Sequence, residues 1–194
     1  MNKKYILGCD EVGTGAFIGQ LVVCGVRAPF DFKYDGLNDS KQLTKKKREL
    51  LAPKLLKLAE DGVITFKLAE RSHLIIDEIG LAAALKSAYV EVFNALYDDE
   101  THIIVDGTLK FKNLGVDHMD LESVIKADGK FNHVMAASII AKTYRDAKVL
   151  ELHKEYPDYG WDSNAGYNSP KHKEGLKKLG LTPYHRKSYD IKMT

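Results

Sequence analysis

The stretch YILGCDEVGTGAFIGQLVVCGV, residues 5–26, decides how this chain folds. Apolar and β-branched residues on both sides of GTGAFIG predict two strands, over 5–9 and 21–26, joined by a glycine-rich bend. Two carboxylates, Asp10 and Glu11, directly follow the first strand. A buried carboxylate without a partner is strongly destabilising, so we expect cationic groups to meet this pair.

Composition sets wide limits on function. The 194 residues suffice for one domain, and the net charge of +2 neither requires nor excludes a nucleic-acid partner. Cys9 and Cys24 lie in apolar contexts and no CxxC pair occurs, so neither a disulfide framework nor a cysteine zinc site is predicted. We expect a reducing, cytoplasmic location. Because acids interrupt the first apolar run, we expect neither a signal peptide nor a membrane span.

The remaining pattern alternates helices and strands. It predicts helices within 35–61, 75–98 and 131–156, strands over 62–70 and 101–109, and a short basic helix in the tail. This order favours an α/β fold with a mixed sheet. HExxH, GxxxxGK[ST] and GxSxG motifs do not occur, which disfavours a zinc hydrolase, a P-loop protein and a serine hydrolase.

Four acidic residues stand among apolar residues or glycine: Asp10, Glu11, Asp106 and Asp128. They fall at strand ends or before a helix, where ligands of α/β proteins gather. Clustered carboxylates suit magnesium or manganese, although each acid alone could be a turn or capping residue. Successive strand residues point to opposite faces, so we expect Glu11 to reach such a site from its rim through the bend at Gly13.

Five segments together resemble the type II ribonuclease H family: GCDEVGTGAFIG, NDSKQLTKKKRELL, IIVDG, KADGKFNHVMAASIIAKTYRD and AGYNSPKHKEGLKKLGLTPYHRKSY. They occur in the family's order and cover the chain from Gly8 to Tyr189. The resemblance implies a ribonuclease H-like fold with a central mixed sheet flanked by helices. It divides the chain into a catalytic domain over 1–153 and a small helical C-terminal region over 154–194, packed on the same domain and expected to bind substrate.

The resemblance also implies the activity: a metal-dependent endonuclease that hydrolyses the RNA strand of RNA–DNA hybrids by two-metal-ion catalysis and leaves 5′-phosphate and 3′-hydroxyl ends. Its catalytic and metal-binding acids correspond to Asp10, Glu11, Asp106 and Asp128. Two Mg²⁺ or Mn²⁺ ions are the implied cofactors, and a monomer that binds hybrid duplexes and no membrane is expected. Two alternatives stay open: a non-catalytic hybrid- or DNA-binding protein, and a resolvase-like nuclease on the same fold.

A second set of residues is expected to bind the substrate. By the resemblance, the GTG bend contacts the ribose 2′-hydroxyl and a tyrosine stacks on the backbone, while serine and basic residues contact phosphates. Ser138, Lys142 and Arg145 have the spacing of one helix face. The full set is Gly13, Thr14, Gly15, Ser40, Lys41, Ser138, Lys142, Arg145, Tyr167, His185 and Arg186.

Thr14 departs from the type II pattern, in which arginine usually stands between the two glycines. A threonine is similar to the type III branch, whereas the tail GYNSPKH…PYHR resembles type II. Unlike arginine, Thr14 cannot donate two charged hydrogen bonds to one phosphate. The sequence therefore does not determine whether the protein cleaves at single ribonucleotides embedded in DNA.

Overall fold

The computed structural model describes residues 3–37 and 43–191, and five strands of this part form one mixed sheet. The strand order across the sheet is β3-β2-β1-β4-β5. Neighbours β1, β2 and β3 are antiparallel, whereas β1, β4 and β5 are parallel. The predicted α/β fold is therefore confirmed. The strands are β1 (Tyr5–Val12), β2 (Leu21–Pro29), β3 (Thr65–Arg71), β4 (Thr101–Asp106) and β5 (Leu121–Val124).

The helices agree with the sequence pattern except at Gly80. The prediction of a single helix over 75–98 is wrong. The chain forms two helices there, α2 and α3, and its direction bends by 117° between them. Gly80 ends the first with φ of 80°, a left-handed conformation that favours glycine and stops a helix. The helices are α1 (Lys45–Glu60), α2 (His73–Ile79), α3 (Leu81–Leu96), α4 (Asn132–Glu155), α5 (Trp161–Asn164) and α6 (Pro170–Leu179), with 3₁₀ turns at Ala127–Gly129 and Pro157–Tyr159.

Helices cover both faces of the sheet. Alternate residues of β1, including Leu7 and Cys9, pack on α3, while the other face of the sheet packs on α1 and α4. Gly8 permits the closest approach, because a Cβ there would lie 2.4 Å from the backbone nitrogen of Val134 on α4. The backbone of α4 therefore lies directly against β1, at the strand that carries the first two acids.

The C-terminal segment folds back onto the glycine-rich bend. Ile18 forms an isolated β-bridge with His185, and it packs with Val149, Trp161 and other buried residues of the C-terminal region. The boundary expected at residue 153 falls within α4, so the division into two parts stays a prediction. Within the described ranges, no single helix has the length and apolarity to span a membrane; only the bent pair of α2 and α3 meets both criteria together.

Candidate active site

Three of the four predicted acids line one groove at the ends of two parallel strands. Asp10 and Glu11 lie near the end of β1, and Asp106 is the last residue of the adjacent β4. Parallel strands end at the same edge of a sheet, and this is why residues almost 100 positions apart in sequence meet here. The groove is also lined by residues 12–15, Arg48, Ser138, Lys142 and Tyr167.

Asp10 and Glu11 both belong to β1, which runs three residues further than predicted. The two side chains leave opposite faces of the strand, as the pleat requires. Asp10 interacts with Ser138 on α4, whereas Glu11 accepts a hydrogen bond from the hydroxyl of Tyr89 on α3. The bend itself starts at Gly13, where φ is 93°. Both carboxylates nevertheless line the same groove, since they sit at its floor where the strand ends.

Asp106 contacts the segment of the remaining acid, Asp128, through backbone N–H groups. Its Oδ1 accepts a hydrogen bond of 2.7 Å from the N–H of Ala127 and a longer one of 3.5 Å from the N–H of Asp128. Asp128 is 4% exposed and lies in the 3₁₀ turn that precedes α4. The carboxylate of Asp106 therefore holds this turn against β4. Asp128 stands behind the groove lining rather than in it.

The pKa of Asp10 is raised to about 7, chiefly by burial and in addition by the negative charges of Glu11 and Asp106. Hydrogen bonds from Ser138 and from the N–H of Glu11 act in the opposite direction, because they stabilise the charged form. On balance, burial and the neighbouring carboxylates disfavour the charged form of Asp10 in the groove. A bound cation would stabilise the charged form.

The acids fit a divalent cation by their chemistry. They offer carboxylate oxygens, which Mg²⁺ and Mn²⁺ prefer, and one oxygen of Asp10, Glu11 and Asp106 is already oriented by a protein donor. As the side chains stand, no group of three His, Cys, Asp or Glu residues in ranges 3–37 and 43–191 is arranged to hold an ion. The side chains of the acids would have to rotate before they could bind an ion together. The metal-binding role of Asp10, Glu11, Asp106 and Asp128 stays a prediction.

The GTG bend lines the same groove as the acids. The N–H of Gly13 donates a hydrogen bond of 3.1 Å to the hydroxyl of Tyr167, which also lines the groove. Beneath the bend, a Cβ at Gly13 would lie only 2.3 Å from Nε of Arg145. Gly15 is exposed, and its closest neighbour in the groove is the ring of Tyr167.

Two of the residues predicted to contact phosphate line the groove. Ser138 lies beside Asp10, and Lys142 one turn further along α4 forms an ion pair of 2.8 Å with Asp146. The ammonium of Lys142 is 5.5 Å from the ring centre of Tyr167. Ser40 and Lys41, which were predicted to join them, lie outside the described residues.

Arg145, His185 and Arg186 do not line the groove, and all three are fully buried. This differs from the prediction that they contact phosphate. The guanidinium of Arg145 donates to the backbone oxygens of Ile18, Gln20 and Ala165. Arg186 donates to those of Thr14 and Gly19. The two arginines thus support the glycine-rich bend from inside. Arg145 lies on the side of α4 that faces the bend, whereas Lys142 faces the groove.

His185 belongs to a buried histidine pair. Its Nε2 lies 3.1 Å from Nε2 of His172, and its Nδ1 accepts a hydrogen bond of 2.8 Å from the N–H of Thr182. His172 also contacts the indole N–H of Trp161 and, through Nδ1, the backbone oxygen of Tyr167. Burial, followed by the neighbouring His172, lowers the pKa of His185 to about 4. Both rings are therefore neutral, and they support the segment that carries Tyr167.

Sequence reasoning missed three contributors to this region. Tyr89 sits in an amphipathic helix like any core aromatic residue, and nothing in its neighbourhood signals contact with Glu11. Nothing in the sequence around Tyr189 indicates that its hydroxyl donates a hydrogen bond to the backbone oxygen of Thr14 in the bend. Arg48 lines the groove, although it directly follows three lysines at the start of α1 and nothing in this basic run distinguishes it.

The site and fold have close counterparts among known proteins. The family model described as Ribonuclease HII matches residues 7–192. The ribonuclease HII of Christiangramia forsetii is 40% identical over 189 residues, covering 97% of this chain and 92% of that relative.

The chain belongs to the ribonuclease HII family.

Solved structures agree with this membership of the ribonuclease HII family. The enzyme in the PCNA:RNase HII complex from Archaeoglobus fulgidus superposes with a TM-score of 0.78 at 27% identity, covering 97% of this chain and 96% of that chain. Ribonuclease H2 from Pyrococcus horikoshii OT3 gives 0.77 at 28% identity, with coverages of 96% and 94%. As a member of the ribonuclease HII family, the chain is a metal-dependent endoribonuclease that acts on RNA–DNA hybrids.

Proposed function

We propose that this chain cleaves the RNA strand of hybrids in the groove between Asp10, Asp106 and the GTG bend. Water attacks the phosphorus and the bond to the 3′ oxygen breaks, which leaves a 3′-hydroxyl on one fragment and a 5′-phosphate on the other. The observation that carries this proposal is that three carboxylates at the ends of two parallel strands line the same groove as a glycine bend.

The four acids Asp10, Glu11, Asp106 and Asp128 would hold two divalent ions, Mg²⁺ or Mn²⁺. Such ions, when bound, stabilise the charge on the attacking and leaving oxygens of a phosphodiester. A ribonuclease HIII of the same fold was solved in complex with Mn²⁺ (TM-score 0.69, 19% identity). Burial, together with the charges of Glu11 and Asp106, raises the pKa of Asp10, and this supports a cation at this place in the present chain.

The other groove residues bind and orient the nucleic acid. The N–H groups of Thr14 and Gly15 and the hydroxyl of Tyr167 line the groove, and they would contact the ribose, whose 2′-hydroxyl distinguishes RNA from DNA. Lys142 and Arg48 carry positive charge along the groove. A second depression, lined by Lys45, Arg48, Lys142 and Tyr167 among others, continues the groove towards α1. Duplex phosphates would follow this course.

Thr14 favours long hybrids over isolated ribonucleotides. Its side chain cannot form the charged hydrogen bonds that an arginine would offer to the phosphate beside a lone ribonucleotide, and such bonds contribute about 1.5–3 kcal/mol. A long hybrid presents many registers and tolerates this loss. We expect efficient cleavage of consecutive ribonucleotides and slower cleavage at a single one embedded in DNA.

Cleavage-site mapping on three labelled duplexes tests the proposal: a long hybrid, DNA with one ribonucleotide, and DNA alone. Cuts restricted to RNA, with 3′-hydroxyl ends and a requirement for Mg²⁺ or Mn²⁺, are expected, and Asp10→Asn serves as the inactive control. Binding without cleavage would favour the non-catalytic alternative. Cleavage of branched DNA with intact hybrid would favour the resolvase-like one. A monomeric state and a cytoplasmic location stay predictions.

A further inference from the structure

The backbone oxygen of Thr14 is held from inside by two side chains of the C-terminal segment. Nη1 of Arg186 donates to it at 3.1 Å, and the hydroxyl of Tyr189 donates to it as well. The same Nη1 lies 2.8 Å from the hydroxyl of Tyr189, so the three groups form a closed triangle. Arg186 is fully buried and Tyr189 half-buried, which fixes this arrangement beneath the bend.

This triangle sets the orientation of the peptide between Thr14 and Gly15. The described part of the chain contains no cis peptide, and in a trans peptide the C=O and N–H point in opposite directions. Because the oxygen points inward to Arg186 and Tyr189, the N–H of Gly15 points outward. Gly15 lines the groove, and neither its N–H nor that of Thr14 donates a hydrogen bond within ranges 3–37 and 43–191.

The neighbouring carbonyl groups of the bend are held in the same way. The oxygen of Gly19 accepts from Nε of Arg186, and those of Ile18 and Gln20 accept from Arg145. The N–H groups of Ala16, Phe17 and Gly19 donate to backbone oxygens, so the bend offers the groove the N–H groups of Thr14 and Gly15. Successive N–H groups of this kind attract anionic and other acceptor oxygens.

We propose that Arg186 and Tyr189 are positioning residues that aim the N–H of Gly15 at an acceptor oxygen on the RNA strand. The inference rests on the proposed function and extends it to side chains that do not touch the substrate. Tyr189 acts across 175 residues of sequence. A contact from the N–H of Gly15 to a 2′-hydroxyl would raise the affinity for hybrids above that for DNA duplexes of the same sequence, which lack this group.

Tyr189→Phe tests this, because it removes the hydroxyl and keeps the ring. Affinity for a hybrid and for the matching DNA duplex is measured by fluorescence anisotropy in EDTA, which prevents cleavage. Hybrid affinity should fall about three- to tenfold, the usual effect of one hydrogen bond, while DNA affinity stays unchanged. The matched control is Tyr184→Phe: it lies in the same segment, and its hydroxyl bonds to none of the described residues. It should change neither affinity.

A second readout reports on the bend itself. The ¹⁵N–¹H signal of Gly15 should shift on hybrid binding in the native protein and shift less in Tyr189→Phe. Arg186→Lys keeps the charge but cannot serve Thr14 and Gly19 together, so it should show the same selective loss of hybrid affinity.

Equal hybrid affinity in Tyr189→Phe and native protein would overturn the positioning role, as would an equal loss for hybrid and DNA. After either of these outcomes, the proposed function would still stand as long as the native protein cleaves hybrids. Native protein that fails to cleave any hybrid would instead overturn the proposed function.

Discussion

The hydroxyl of Tyr89 on α3 donates a hydrogen bond to the carboxylate of Glu11 on β1. Tyr89 is fully buried, and burial together with the charges of Glu11 and Asp10 raises the pKa of its hydroxyl well above the usual range. The phenol therefore stays protonated and remains a donor. Glu11 is thus oriented by a residue of α3 on one side of the sheet, whereas Asp10 is oriented by Ser138 of α4 on the other side.

Tyr89→Phe should weaken divalent-cation binding, since the carboxylate of Glu11 loses the donor that orients it. Loss of a group that orients a metal ligand typically costs about 10–100-fold in affinity or activity. Mn²⁺ titration followed by electron paramagnetic resonance gives the affinity without substrate. Tyr34→Phe, which lies away from the groove, is the control. Unchanged Mn²⁺ affinity in Tyr89→Phe would show that Glu11 needs no such support.

Asp10→Asn should abolish cleavage and leave the fold intact or more stable. A ligand charge is lost, and we expect a rate reduction on the order of a thousandfold or more. Because burial and neighbouring acids raise the pKa of Asp10, removing its charge also removes repulsion in the metal-free protein. Single-turnover cleavage and thermal unfolding in EDTA measure both effects. Asp99→Asn, at an exposed carboxylate, should alter neither.

Alanine at Gly13 and at Gly15 should have different consequences. At Gly13, φ is 93° and the new Cβ would meet the buried Arg145, so we expect a loss of about 2 kcal/mol or more in unfolding free energy. At Gly15 the Cβ would lie 3.9 Å from Cε1 of Tyr167, an ordinary contact, so stability should stay within about 0.5 kcal/mol. Gly15→Ala should weaken hybrid binding instead. Urea unfolding and anisotropy separate these effects, and equal destabilisation would contradict the geometry of the bend.

Lys142 should account for about one phosphate contact. In Lys142→Ala, the slope of log affinity against log salt for a hybrid should shrink by about 0.9. The matched control is Lys148→Ala, an exposed lysine on α4 that lies away from the groove. If both variants keep the native slope, Lys142 serves only its ion pair with Asp146.

The contribution of His185 to stability should fall as the pH drops from 6.5 towards 4, whereas Asp10, whose pKa is raised to about 7, contributes in the opposite direction over the same range. In the folded protein the pKa of His185 is lowered to about 4, whereas an unfolded histidine has its ordinary value of 6.5. The unfolded chain therefore binds the proton first, and stability present above pH 6.5 is lost through this window. The contribution of His185 is up to about 3 kcal/mol. Urea unfolding of the native protein and of His185→Gln over this range checks it: the native protein should lose its stability relative to His185→Gln as the pH falls, because Asp10 contributes equally to both. An NMR titration of His185 near 6.5 would contradict it.

The sequence was informative wherever one local pattern determined one element. The period of β1 and the glycine at position 13 predicted a strand and a bend, and both are present. β1 continues beyond Cys9 because pairing with β2 holds Asp10 and Glu11 in the strand, which apolarity alone could not reveal. β5 escaped prediction for a similar reason. Its residues, LESV, show no apolar run, and its strand conformation comes from pairing with β4.

The candidate site divides in the same way. The acids at strand ends could be recognised because they directly follow apolar runs, where burying a charge is unfavourable and therefore indicates a function. Arg145 and Arg186 could not be distinguished from surface cations, since the backbone oxygens that bind them belong to a bend more than a hundred residues away. The contact between Tyr89 and Glu11 likewise depends on how α3 packs across the sheet.

The hydrogen bond from Arg186 to Thr14 joins residues 172 positions apart, and it has a consequence for biosynthesis. During translation, β1 and β2 can pair as soon as they leave the ribosome, but the bend between them has no arginine to bind its oxygens. Closing so long a loop carries an entropic cost and comes late in folding. In a nascent chain, the pairing of β1 with β2 should therefore place Asp10 and Glu11 early. The bend should reach its mature conformation only after residue 186 has emerged from the ribosome. Pulse-labelled chains stalled before that residue should leave hybrids uncut.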